Sequence, residues 1–137
     1  MSENTVDPIK VVYIEDDPEM IELVSLILKT HGIDVVGAHG GRKGLEVVKQ
    51  VIPALILLDL MMPDMDGWEV YQQLKADSTT AAIPVIIISA KSQTIDQVLG
   101  LYIAHVNDYI CKPFRPQELV DSIGKVLGKE LPNIHEN

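Results

Sequence analysis

Residues 53–67 read PALILLDLMMPDMDG. An unbroken apolar run, Ala54-Leu55-Ile56-Leu57-Leu58, ends abruptly in a carboxylate, Asp59. Continuous rather than alternating apolarity marks a strand buried on both faces, as in a parallel sheet covered by helices. The loop behind Asp59 carries Met61, Met62, Pro63, Asp64, Asp66 and Gly67. Why an acid stands at the mouth of so buried a strand is the question on which function turns.

Similar runs recur on either side. Ile9 to Ile14, Asp34 to Ala38, Val85 to Ile88 and Asp108 to Cys111 read as four more short strands. Helical spacing fills the gaps between them. Pro18 opens an apolar face of Met20, Ile21, Leu23, Val24, Ile27 and Leu28 that stops near Gly32. Leu45, Val48, Val51 and Ile52 make a second such face; Trp68, Tyr71 and Leu74 a third. Ile95, Val98, Leu99 and Tyr102 predict a fourth helix, and Leu119, Val120, Ile123, Val126 and Leu127 a fifth. Five alternations of strand and helix predict a doubly wound α/β domain around a parallel sheet. Residues 1–7 and 130–137 read as short tails, with one domain between them.

Composition narrows the function classes. At 137 residues and 47% hydrophobic content the chain can bury a sizeable core. A formal charge of −9, from 20 acids against 11 Lys and Arg, repels phosphate backbones, so direct nucleic-acid binding is not expected. No apolar stretch reaches the roughly 20 residues that span a bilayer. The start, MSENTVDPIK, lacks the features of a secretory signal, and one cysteine, Cys111, forms no internal disulfide. The expected location is the cytoplasm.

Four strands end in chemistry: Glu15-Asp16-Asp17, Asp59, Ser89 and Lys112-Pro113. In open α/β sheets the ligand site lies beyond the carboxyl ends of the strands, at a topological switch point. With strands ordered 2-1-3-4-5, that point falls between strands one and three, where Glu15, Asp16 and Asp59 would converge. Carboxylates so packed repel one another, and Lys112 offsets only one of them. Hard oxygen ligands without nearby His or Cys select Mg2+ over zinc. A carboxylate nucleophile, a divalent cation, a hydroxyl and an ammonium together suit phosphoryl transfer.

These residues resemble the receiver domain of two-component response regulators over roughly residues 8 to 129. The resemblance rests on Ile14-Glu15-Asp16-Asp17-Pro18, Leu57-Leu58-Asp59 through Asp66-Gly67, Ser89-Ala90-Lys91, and Tyr109-Ile110-Cys111-Lys112-Pro113-Phe114, in that order. It implies a flavodoxin-like (βα)5 three-layer sandwich with parallel strand order 2-1-3-4-5. Asp59 would accept a phosphoryl group from a histidine kinase or a histidine phosphotransfer protein. Asp16, Asp59 and the Met61 carbonyl would hold Mg2+, with Glu15 acting through a metal-bound water. Ser89 and Lys112 would bind phosphoryl oxygens, and Tyr109 would be the switch aromatic. Met61 and Lys91 match positions that tune dephosphorylation, with no fast self-hydrolysis implied. The expected role is a stand-alone switch rather than an enzyme, read by a downstream protein, with a homodimer possible.

Two departures stand out: Ser89 replaces the commoner Thr, and Ala104-His105-Val106-Asn107-Asp108 replaces the family's Gly-Ala-Asp-Asp turn. Other readings fare worse. Asp64 and Asp66-Gly67 fail the spacing of a calcium loop and read as turn and helix-cap residues. Asp17 reads as an N-cap. A haloacid-dehalogenase-type hydrolase needs an acid where Met61 stands, and a flavin phosphate would meet three acids after strand one. The remaining alternative is a degenerate receiver that binds partners without being phosphorylated.

Overall fold

The computed structural model of the protein describes residues 8–90 and 106–132. The quoted apolar run becomes the central strand of a five-stranded sheet. In chain order the elements are β1 (Ile9–Ile14), α1 (Pro18–Lys29), β2 (Ile33–Ala38), α2 (Gly41–Val51), β3 (Leu55–Leu58), α3 (Gly67–Ala76), β4 (Val85–Ala90), β5 (Asp108–Lys112) and α4 (Pro116–Leu127). All neighbouring strands pair in parallel, in the order β2-β1-β3-β4-β5. The expected strand order is therefore met. The helix expected over 95–102, the tuning residue Lys91, Ala104, His105 and most of both tails lie outside the described residues.

Strand side chains alternate between two faces, and the core divides accordingly. Val12, Ile14, Ile56, Leu58, Val85 and Ile87 meet α2 and α3 through Val47, Val48, Trp68, Val70, Tyr71 and Leu74. Val11, Tyr13, Leu55, Leu57, Ile86 and Ile88 meet α1 and α4 through Val24, Leu28, Leu119, Val120 and Ile123. Leu55 to Leu58 are all fully buried, as the unbroken run implies. Burying one such side chain is worth about 1.5–3 kcal/mol, and this strand buries both faces at once. Among the described residues no helix is long and apolar enough to cross a membrane.

The helix ends follow local chemistry. Asp17 caps α1 by accepting from the Glu19 N–H at 2.9 Å, with Pro18 in the first turn. Asp66 caps α3 by accepting from the Trp68 N–H at 2.9 Å. Two details of α2 differ from the periodicity. Ile52, expected on its apolar face, is instead the left-handed C-cap (φ 47) and is 52% exposed. Gly44, outside that apolar pattern, packs closely on β1, where an added Cβ would lie 2.6 Å from the Ile14 side chain. Cys111 is half-buried.

The altered turn before β5 is well anchored where it is described. Asn107 exchanges two bonds with Val85: its N–H donates to the Val85 carbonyl at 3.0 Å, and its Oδ1 accepts from the Val85 N–H at 2.9 Å. Asp108 then ties β5 to α4, accepting from Ser122 Oγ at 2.6 Å and lying 3.2 Å from Lys125 Nζ. Burial pushes the Asp108 carboxyl up, but Ser122, the Tyr109 N–H and Lys125 outweigh it and hold it below the usual range.

Two tests follow from this packing. At Gly67 an added Cβ would lie 2.4 Å from Leu60 Cα and 2.6 Å from the Asp59 carbonyl oxygen, both backbone atoms that cannot step aside. Gly67→Ala is expected to destabilise by roughly 2 kcal/mol or more, read as a lower urea midpoint at unchanged slope. A depressed carboxyl contributes stability above its unfolded pKa and loses it as pH falls through the folded one. Asp108→Asn should therefore cost about 1–2 kcal/mol at pH 7. Its deficit against wild type should close below about pH 4 in pH-resolved denaturation.

Candidate functional site

β1 and β3 are paired in register through Ile14 and Leu58, and each ends one residue later in an acid. The Asp59 N–H donates to the Ile14 carbonyl at 3.0 Å, which holds the two strand ends side by side. Glu15 is 2% exposed and Asp59 4%. The ladder between β4 and β5 pairs Ser89 with Cys111 and Ala90 with Lys112, so the hydroxyl and the ammonium reach the same end of the sheet. The Lys112–Pro113 peptide bond that follows is cis.

Three donors surround Asp59. Ser89 Oγ donates to Asp59 Oδ1 at 2.8 Å, and the Met61 N–H donates to the same oxygen at 3.1 Å. Lys112 Nζ lies 3.5 Å from Asp59 Oδ2 but only 2.5 Å from Glu15 Oε1. The ammonium thus serves Glu15 first. Burial is the largest influence on Asp59 and pushes its carboxyl above the usual range; the Glu15 charge adds to it, against the pull of Met61 N–H, Ser89 and Lys112. Burial also pushes Glu15 up, yet Lys112, the Asp17 N–H and the Tyr13 hydroxyl outweigh it and hold Glu15 low. Two buried carboxylates with one ammonium leave a negative charge that a cation at the site would complement.

Glu15 and Asp59 are the two buried acids at these strand ends. Glu15 and Asp59 share Lys112, whereas Asp16 is exposed. Among the described residues, no three His, Cys, Asp or Glu side chains gather closely enough to hold a metal ion. Two carboxylates with a backbone carbonyl and waters remain an ordinary donor set for Mg2+, so Asp16, Asp59 and Met61 fit that ion by donor chemistry. Tyr109 pairs in register with Ile87, half-buried, with its ring against the core beneath α2 and α3. The scattered histidines take no part among the described residues; His31 Nδ1, for example, is 2.7 Å from the Pro132 carbonyl oxygen.

Two participants escaped the sequence reading. Tyr13, there only a member of the first strand, donates its hydroxyl to Glu15 Oε1 at 2.8 Å. Strand alternation was the available signal, since residues 13 and 15 share a face. Asp64 is a cap, as expected, but for a distant helix. Its carboxylate accepts from the Gly41 N–H at 3.0 Å and the Arg42 N–H at 3.2 Å, at the start of α2. The residue preceding that helix, Gly40 at φ 106, has no side chain to do so. No local sequence pattern announces this bond.

The model of the response regulator receiver domain matches residues 11–124. The DNA-binding response regulator MtrA of Mycolicibacterium smegmatis is 39% identical over 111 residues, 81% of this chain and 47% of that one. RpaA of Synechocystis, a DNA-binding dual master transcriptional regulator, is 39% identical over 118 residues, 86% of this chain and 48% of that one. The chain spans about half the length of these relatives. Among solved structures, a response regulator from Chloroflexus aurantiacus superposes with a TM-score of 0.80 at 27% identity, covering 89% of this chain and 99% of that one. The BeF3-activated N-terminal receiver domain of Klebsiella pneumoniae RstA gives a TM-score of 0.76 at 30% identity, covering 86% and 97%. With the match spanning the sheet, its helices and all four strand-end motifs, this chain belongs to the response regulator receiver domain family.

Proposed function

We propose that Asp59 is the phosphoryl acceptor of this receiver. The observation that carries the reading is the arrangement of its carboxylate. Oδ1 is held by Ser89 Oγ and the Met61 N–H, while Oδ2 faces the more distant Lys112 ammonium. Oδ2 is thus the oxygen with a lone pair to spare. In transfer from a phosphohistidine of a kinase or phosphotransfer protein, the P–N bond breaks as an Asp59 oxygen forms the new P–O bond. The histidine nitrogen keeps the departing electron pair. Asp16, Asp59 and the Met61 carbonyl would hold Mg2+, with Glu15 bearing on a metal-bound water; the ion would neutralise charge on the phosphoryl oxygens. Ser89 and Lys112 would each take one phosphoryl oxygen, and Tyr109 would register the change.

The receiver unit spans residues 8 to 129 and acts as a cytoplasmic switch. Its output is read by a partner protein, since a chain of formal charge −9 is poorly suited to hold nucleic acid itself. MtrA and RpaA are named as DNA-binding regulators, and the receiver is the part of them to which this chain corresponds. Met61 is no water activator, so the aspartyl phosphate should turn over slowly.

Intact-protein mass after incubation with acetyl phosphate tests the reading. A Mg2+-dependent gain of one phosphoryl group, absent in Asp59→Ala, is expected. Ser89→Ala should slow the gain by roughly tenfold, the kinetic counterpart of about 1.4 kcal/mol. Lys112→Ala should keep the adduct but lose the amide shifts that phosphorylation produces along β5 in NMR spectra. A folded protein that binds Mg2+ yet gains no mass would favour an unphosphorylated binding module instead.

A further inference from the structure

Tyr13 is fully buried within the core beneath α1 and α4, among Val11, Val24, Leu28 and Leu57. A phenylalanine would fill that volume without burying a hydroxyl, which costs about 1–3 kcal/mol when left unbonded. The hydroxyl therefore matters for what it touches, Glu15 Oε1 at 2.8 Å. Glu15 has three donors, as Asp59 has, but all of them lie within 3.1 Å. Oε1 accepts from both Tyr13 and Lys112, and Oε2 accepts from the Asp17 N–H at 3.1 Å. A carboxylate offers about four lone-pair positions. Three are filled by the protein, which leaves one on Oε2.

We infer that Tyr13 is a positioning residue for the cation site. By holding Oε1 jointly with Lys112, it keeps Glu15 turned into the protein, with one lone pair left for a metal-bound water, and so moderates cation affinity. The inference rests on the reading that Asp16 and Asp59 hold a divalent cation. Two consequences separate it from a packing role. Removing the hydroxyl leaves an under-satisfied buried carboxylate beside the site, whose charge is then more available to a cation. That gain exists only while Glu15 carries its charge.

The experiment is isothermal titration of the 137-residue chain with MgCl2. The proteins are wild type, Tyr13→Phe, Glu15→Gln, the double variant and Asp59→Ala, each checked for folding by circular dichroism. Tyr13→Phe preserves the ring and is expected to bind Mg2+ about fivefold more tightly, part of what one hydrogen bond to a charged group is worth. In the Glu15→Gln background the same change should leave affinity within about twofold. Unchanged or weaker binding in Tyr13→Phe overturns the inference, as does equal tightening with and without the Glu15 charge. In either case Asp59-dependent binding by wild type would leave the cation reading standing. Wild-type binding that is absent, or indifferent to Asp59→Ala, would overturn the cation reading and this inference with it.

Discussion

One ammonium shared between two buried carboxylates is the constraint around which the rest of the molecule is arranged. Lys112 can reach Glu15 and Asp59 only because β1, β3 and β5 end at the same level of one parallel sheet. Burying an unpaired carboxylate is expensive, and the attraction to a nearby ammonium offsets that only with good geometry and further hydrogen bonds. Ser89, Met61 N–H, Asp17 N–H and Tyr13 supply those bonds. The unequal distances, 2.5 Å to Glu15 and 3.5 Å to Asp59, leave Asp59 the less neutralised acid. That asymmetry is what the proposed acceptor role of Asp59 draws on.

The loop behind Asp59 is held just as firmly. Asp66 caps α3, Asp64 caps α2 from across the layer, and Gly67 lets α3 start against the Asp59 and Leu60 backbone. The Gly67 N–H also donates to the Leu60 carbonyl at 3.1 Å. The Met61 backbone, whose N–H orients Asp59, therefore rides on a loop pinned at both ends, although the Met61 side chain is 56% exposed. Two carboxylates that the sequence offers as turn and cap residues serve to hold the loop behind Asp59.

Much of this was legible in advance because the responsible physics is local. A continuous apolar run reports burial on both faces, as Leu55 to Leu58 and Val85 to Ile88 bear out. Asp17 before Pro18 reports a cap. What was hidden is the exact pairing of groups far apart in the chain. Asp64 and Gly41 are 23 residues apart, and Lys112, expected among the acids, lies closest to Glu15, 97 residues away. Ile52 was misplaced because an apolar residue at helical spacing looks the same whether it ends the helix or faces the core. Only the folded backbone shows it as a left-handed C-cap at φ 47.

The sequence by itself determined the alternation of strands and helices, and which strands end in an acid, a hydroxyl or an ammonium. Composition, periodicity and motif order are properties of the chain alone. Only the tertiary structure decided which carboxylate Lys112 serves first, that Asp16 is exposed while Glu15 and Asp59 are buried, and that a phenol beneath α1 holds Glu15. Those outcomes depend on ångström differences between groups on different strands. Such distances arise when strand register and two layers of packing are satisfied together.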